Sequence, residues 1–316
     1  MIKLLRYWNQ NKRKTLITIA VIALIIIVIQ IANSVIKRRN ERDKNEIKQS
    51  TVANDITKPN ESIISQDKLT EKETKENSDF IEQFVSFCNQ KKADDAYSLL
   101  SDDCKNELYP TKELFVNNYM NQIFEETVNY ELQLWYTVSN CYTYRITYNK
   151  GNLLQTGGQG NSSNFLDYIT LLKQNGEYKL NINKFIRRQT LSKQGGSNGI
   201  NITINSKCIY VDYEIYNMTV QNNTQNTILL NDGTNANNFS LIGRNNSTFS
   251  SVISELPMSS LTLDPQYRKT INIKFNKIYM TRSELDAMQM ANIYLNKQQY
   301  DIKQENAEKI TIKINL

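Results

Sequence analysis

From Thr15 to Ile36 the chain runs for 22 residues without a charge, and no other feature restricts its folds as much. At ~1.5 Å per residue a helix of that length reaches roughly 33 Å, enough to cross a ~30 Å hydrocarbon core. The run is longer than a usual signal-peptide core and is followed at once by Lys37-Arg38-Arg39, a stop-like flank. Ala32 and Ser34 form a weak small-residue cleavage pattern, and no cysteine follows closely enough for lipoprotein processing. The expected partner of residues 15–36 is therefore the lipid bilayer, and residues 1–14 become a short tail. Positive charges flank the span almost equally. A long C-terminal region translocates largely regardless of charge, whereas the short tail carries five cations and no acid. The expected location is the cell membrane, with the N-terminus cytoplasmic and the remainder extracytoplasmic.

That placement changes how the net charge of +6 is read. Residues 1–39 hold eight cations and no acid, which leaves 30 basic against 32 acidic residues beyond them. A phosphate-binding surface needs excess Lys and Arg on the folded part, so no nucleic-acid partner is expected. The chain has no histidine, which removes the commonest general base and metal ligand. Cys88, Cys104, Cys141 and Cys208 show no C-x-x-C spacing. They read as small buried apolar residues, although an oxidising compartment leaves a Cys88–Cys104 bridge open. No catalytic, cofactor or metal site is expected.

Residues 37–77 are poor in aromatics and aliphatics and rich in Lys, Glu, Asn, Ser and Thr, the composition of a flexible tether. Folding is expected from 78 to 194. Asp79-Phe-Ile-Glu82 has capping-box spacing, with Phe80, Phe84, Phe87 and Cys88 on a helical stripe. A second helix is predicted from Ala93 to Ser101. Thr111 opens a third, with Leu114, Phe115, Tyr119, Ile123 and Phe124 facing inward. Period-two alternation at Val128, Tyr130, Leu132, Leu134 and Tyr136 then predicts a strand. Further strands are predicted at Cys141–Tyr148, Phe165–Leu172 and Tyr178–Ile186. Gly157-Gly158-Gln159-Gly160 reads as a hairpin connection without the context of a phosphate loop. Helices followed by antiparallel strands define an α+β domain.

The stretch Lys92-Ala-Asp-Asp-Ala-Tyr-Ser-Leu-Leu-Ser-Asp-Asp-Cys-Lys105, then Tyr109-Pro-Thr-Lys-Glu-Leu-Phe115 and a run of strands, resembles the cone-shaped domains of the nuclear transport factor 2-like superfamily. It is most similar to those that Gram-positive bacteria carry behind a membrane anchor. The resemblance covers residues 78–190. It implies a helix-on-sheet cone and, from anchored members, a scaffold role in conjugation or type IV secretion machines. Isomerase members place an Asp base beside Tyr or acid donors in the cone pocket. Asp167, Tyr130, Tyr136, Tyr142, Tyr144 and Tyr168 are the raw material here, but none falls on a matching motif. The plainer account is that strand tyrosines alternate into a core. Asp94, Asp95, Asp102 and Asp103 read as helix caps and solvated charges rather than a cation site.

After Gly195-Gly196-Ser197-Asn198-Gly199, read as a hinge, residues 197–316 are nearly all β. Alternation at Ile200, Ile202 and Ile204, at Ile209, Val211, Tyr213 and Ile215, at Ile271, Ile273 and Phe275, and at Ile310, Ile312 and Ile314 marks strands. Tyr216-Asn-Met-Thr-Val-Gln-Asn-Asn223 is similar to a strand of the immunoglobulin-like sandwiches of bacterial surface proteins, so an all-β Ig-like domain is expected. Met218 and Val220 are out of phase with Ile215, which predicts a bulge near Tyr216–Asn217. Surfaces rich in Asn and in the 18 tyrosines suit polar contacts with protein or glycan, but the plainer account is an AT-rich genome that favours Asn, Lys, Ile and Tyr codons. The functional expectation is a non-enzymatic membrane protein whose extracytoplasmic part binds protein partners in the envelope. The alternative is a small-molecule-binding or isomerase-like cone.

Overall fold

The computed structural model describes residues 68–138, 140–150, 164–174, 176–277 and 284–316. The apolar run 15–36, the tail before it, the tether as far as residue 67 and the Gly157–Gly160 connection lie outside the described residues. No helix among the described residues is long and apolar enough to cross a membrane.

Helix α1 (Glu71–Asn89) starts earlier than the spacing predicts. The Thr70 side chain accepts from the Glu73 amide, and the Glu73 carboxylate accepts from the Thr70 amide at 2.9 Å. This reciprocal box satisfies two orphan donors, so the expected box at Asp79–Glu82 is corrected. Asp79 lies mid-helix, 2.6 Å from Lys75, and residues 71–77, which composition assigns to the tether, are helical. Asn77, assigned to the tether on composition, is fully buried and donates to the Tyr144 hydroxyl at 3.0 Å.

The second predicted helix, Ala93–Ser101, ends early as α2 (Ala93–Ser98), and Ser101 instead caps a further helix that the spacing does not predict, α3 (Asp102–Leu108), its hydroxyl accepting from the Cys104 amide at 3.0 Å. Helix α4 opens at Thr111 as expected, with Lys112–Phe115 continuing through a π-helical turn at Val116–Met120 to Asn121–Ile123. Phe115, Tyr119, Ile123 and Phe124 are buried, but Leu114 is 40% exposed, because it lies off the stripe that Phe115 and Tyr119 share.

Strands β1 (Val128–Val138), β2 (Cys141–Lys150), β3 (Asn164–Gln174) and β4 (Glu177–Asn181) form one antiparallel sheet in sequence order. The helices cover one face, where Ile81, Phe84 and Val85 meet Leu134, Tyr144, Ile146, Tyr148 and Leu171 in a common core. Trp135 is the extra residue of a bulge between Leu134 and Tyr136. It joins a separate cluster with Ile186, Ile209 and Val211, and its ring meets Tyr168 at 4.7 Å.

The predicted strand Tyr178–Ile186 is interrupted. Asn183 and Lys184 take φ values of 55° and 63°, ending β4 and sending the chain into β5 (Phe185–Ser197), which pairs with β6 (Ile200–Tyr210). Gly195 and Gly196 lie within β5 opposite Ile202 and Asn201, so the stretch read as a hinge is the end of a hairpin. Asn198 and Gly199, at φ 52° and 78°, form its two-residue turn with positive φ at both positions.

Strands β7 (Tyr213–Asn222), β6 and β5 continue to β12 (Arg268–Asn276) in a sheet ordered β12-β7-β6-β5. The strands β8 (Ile228–Leu229), β9 (Phe239–Gly243), β10 (Thr248–Ser250), β11 (Thr262–Leu263), β13 (Leu285–Tyr294) and β14 (Lys309–Asn315) form a second sheet around β13. Ile202, Ile204, Met218, Val220, Ile273 and Phe275 of the first share a core with Leu241, Met288, Met290 and Ile312 of the second. The predicted bulge lies in the partner strand. Ile204 faces Met218 while Ser206 faces Asn217, leaving Asn205 extra. Its amide donates to Asn217 and Thr219, both at 2.9 Å, so the polar side chain finds partners that an apolar residue would not.

Candidate functional site

Asp167 is 1% exposed on β3, directed at the helices. Its Oδ1 accepts from the Tyr168 amide at 2.7 Å and the Lys184 amide at 3.0 Å. Its Oδ2 accepts from the Tyr119 hydroxyl at 2.9 Å and the Asn183 amide at 3.0 Å. The π turn of α4 brings Tyr119 to this point, and Tyr148 of β2 stands 3.1 Å from the Tyr119 hydroxyl. With the Tyr119 proton given to the carboxylate, Tyr148 is the donor between the two phenols. Burial pushes the Asp167 carboxyl above the usual carboxylate range, against the pull of the four donors. Burial also drives the Tyr119 and Tyr148 hydroxyls well above the ordinary phenol value.

A buried acid beside tyrosine hydroxyls is the arrangement an isomerase-like cone would need. Here the donors come from the chain itself, and two are the consecutive left-handed amides at the β4–β5 turn. The surroundings are aromatic: Phe124 meets Tyr148 at 5.2 Å, and Phe115 stacks on Tyr119 at 5.9 Å. The arrangement holds a strained turn against β3, where positive φ at a lysine is costly without support.

The tyrosines named from sequence are dispersed. Tyr144 is buried and occupied by Asn77, and Tyr168 lies against Trp135 on the opposite sheet face. Tyr130 lines a groove beside α1, while Tyr136 and Tyr142 are part-buried. Among side chains the partner that Asp167 does have is Tyr119, which spacing marks only as an inward-facing helix position, and Tyr148 reaches the acid only through Tyr119. Asp94 and Asp95 sit in the first turn of α2, and Asp102 and Asp103 in that of α3. Asp94 pairs with Lys112 at 2.6 Å. Among the described residues no group of three metal-ligating side chains occurs. All four cysteines are buried free thiols, and burial pushes Cys104 up to about 12, which makes it a poor nucleophile.

A second buried polar cluster is centred on β7. Glu214 of β7, 1% exposed, accepts from Lys277 at 3.0 Å and from the Tyr216 hydroxyl at 2.8 Å, with the Lys207 ammonium 3.5 Å away. Two cations share one carboxylate, and burial pulls Lys207 below the ordinary lysine value despite Glu214. Over the outer face of the same sheet, Asn205, Asn217 and Asn272 link side chain to side chain across three strands.

A groove of about 310 Å³ lies open between α1 and β1, lined among others by Glu82, Val85, Asn89, Val128 and Tyr130. Asn89 closes one end by donating to the Val128 carbonyl and accepting from the Val128 amide, both at 3.0 Å.

These features define a mixed α+β protein built mainly of antiparallel sheet. No protein-family model matches the chain, and no curated protein matches it. Among solved structures, a functionally unknown protein from Listeria monocytogenes EGD-e is similar at 11% identity, covering 40% of this chain and 84% of its own, with a TM-score of 0.28. A conserved hypothetical protein from Bacillus anthracis is similar at 12% identity, covering 39% of this chain and 96% of its own, with a TM-score of 0.26. Likeness this slight carries no argument about function.

Proposed function

We propose that the chain is a non-enzymatic, single-span membrane protein whose nuclear transport factor 2-like and Ig-like halves form an extracytoplasmic binding or scaffold region of the cell envelope. One observation carries the non-enzymatic part. The acid best placed for chemistry, Asp167, spends its oxygens on four donors from the chain itself and holds the turn that joins the two halves. A general base must reach a substrate proton, and this one is enclosed by protein. The membrane placement rests on the uncharged run 15–36. A conjugation or type IV secretion assembly is the setting implied by anchored cone-fold proteins.

The test is protease shaving of intact cells that express the full chain with a C-terminal tag, followed by affinity recovery from solubilised membranes. Loss of the tag from intact cells together with stoichiometric recovery of envelope components is expected. A tag protected in intact cells and lost only after lysis overturns the topology. Turnover or a retained small molecule, abolished by Asp167→Asn in a folded variant, overturns the non-enzymatic reading.

A further inference from the structure

We propose that the outer edge of β1, with the α1–β1 groove beside it, receives an extended lysine- or arginine-bearing segment of a partner protein as an added strand. The inference rests on the binding-region reading and names the chemistry of its partner.

The sheet has two edges, and the fold treats them differently. At β4 the link between α2 and α3 covers the edge: the Ser101 amide donates to the Leu180 carbonyl and the Leu180 amide to the Leu99 carbonyl, both at 2.9 Å. At β1 no strand among the described residues pairs on the side away from β2. What stands there is the Asn89 amide, which gives and takes one hydrogen bond with Val128 as a neighbouring strand would. Alternate residues of an antiparallel strand point both backbone groups to the same side. Val128 points outward, and Tyr130 and Leu132 therefore do so too. Natural edges are blunted by lysine, proline or inward charges, yet from Val128 to Leu134 the one charge is Glu131, exposed on the face away from the helices.

The groove continues this edge. Val85 and Val128, each 2% exposed, give it an apolar floor, Tyr130 is half-buried at its side, and Glu82 is exposed at its rim. At about 310 Å³ it admits a long side chain with an aliphatic stem. Exposed Glu82, Glu125, Glu126 and Glu131 flank the edge. The neighbouring cations are committed, Lys75 to Asp79 and Lys91 to the carbonyls of Phe124 and Glu125. Charge complementarity thus favours a cation whose stem lies on Val85 and Tyr130 and whose head meets Glu82. In such strand addition the backbone supplies affinity and the pocket supplies selection.

The test uses the full chain in lipid nanodiscs and two labelled, end-blocked peptides, Lys-Val-Lys-Val-Lys-Val-Lys and its glutamate counterpart, with photo-crosslinking to map the contact. The expected result is binding of the lysine peptide alone, with crosslinks confined to α1 and Val128–Leu134. Tyr130→Pro and Glu82→Lys should each weaken it at least tenfold, and Glu82→Lys should leave the thermal transition in place. Proline is tolerated where an edge amide faces solvent, so the first variant blocks addition without removing a sheet bond. Equal binding of both peptides, crosslinks elsewhere, or indifference to both substitutions overturns the proposal. So does a homodimer broken by Tyr130→Pro that binds neither peptide, since the occupant is then a second copy. In native membranes, envelope partners recovered equally by wild type and both variants remove the edge proposal but leave the binding-region reading standing. Recovery of none removes the binding-region reading.

Discussion

At Asp167 two consecutive left-handed amides, one neighbouring amide and one phenol converge on a single buried carboxylate. Asp167→Asn keeps the shape but turns an amide donor toward backbone donors, so a loss of about 2–4 kcal/mol in urea unfolding is expected, against about 1 for Tyr119→Phe. The acid was legible as a candidate; its partners were not. Alternation along β3 assigns a face, but which helix residue arrives opposite depends on how α4 winds through its π turn. The Glu214 cluster makes a second residue-scale prediction. Lys277→Met leaves the carboxylate with the Tyr216 hydroxyl and the more distant ammonium and should cost about 3 kcal/mol, whereas Lys207→Met removes an excess charge and should change stability by less than about 1 kcal/mol at pH 7. Lys207 has a lowered folded pKa, so between that value and the unfolded one near ~10.4 the unfolded state binds more protons. Wild type should therefore gain stability relative to Lys207→Met as pH rises through that window, measured by denaturant midpoints.

Among the elements, α1 owes its start to four residues. Thr70→Ala should cost about 1 kcal/mol and shorten hydrogen-exchange protection over the first turn. Composition hid this helix, because Lys, Glu, Asn and Ser are equally at home in a tether and on the exposed face of a helix, and only the burial of Asn77 against Tyr144 separates the two. Strands were more legible: the alternations at Ile200–Ile204 and Ile271–Phe275 appear with the expected faces buried. What alternation could not show is a glycine chosen for contact. A Cβ on Gly195 would lie 2.8 Å from Ile314 Cγ1, where β14 crosses β5. Gly195→Ala should cost about 1–3 kcal/mol by overpacking. A double-mutant cycle with Ile314→Ala should show less than additive loss.

Across the molecule, the β5–β6 hairpin belongs to both cores. Phe185, Cys208 and Tyr210 lie in the helix-covered core, and Ile200, Ile202 and Ile204 in the core between the later sheets. Continuous strands that serve two cores should couple their unfolding. In a Trp8→Phe chain, fluorescence from Trp135 at the junction and far-UV circular dichroism should give coincident urea transitions. Phe84→Ala in the first core should shift both midpoints equally, and two separated transitions would show the halves to be independent.

The sequence by itself determined the uncharged span, the near-neutral charge of everything after it, the order of helices before strands, and most strand faces. These are local or compositional properties, set by periodicity and by which residues can be buried. Tertiary structure alone decided that Asp167 is enclosed by Tyr119 and three backbone amides, and that β1 keeps an edge β4 has lost. Each depends on which distant segments meet, and period-two alternation carries no information about the residue on the other side of the contact.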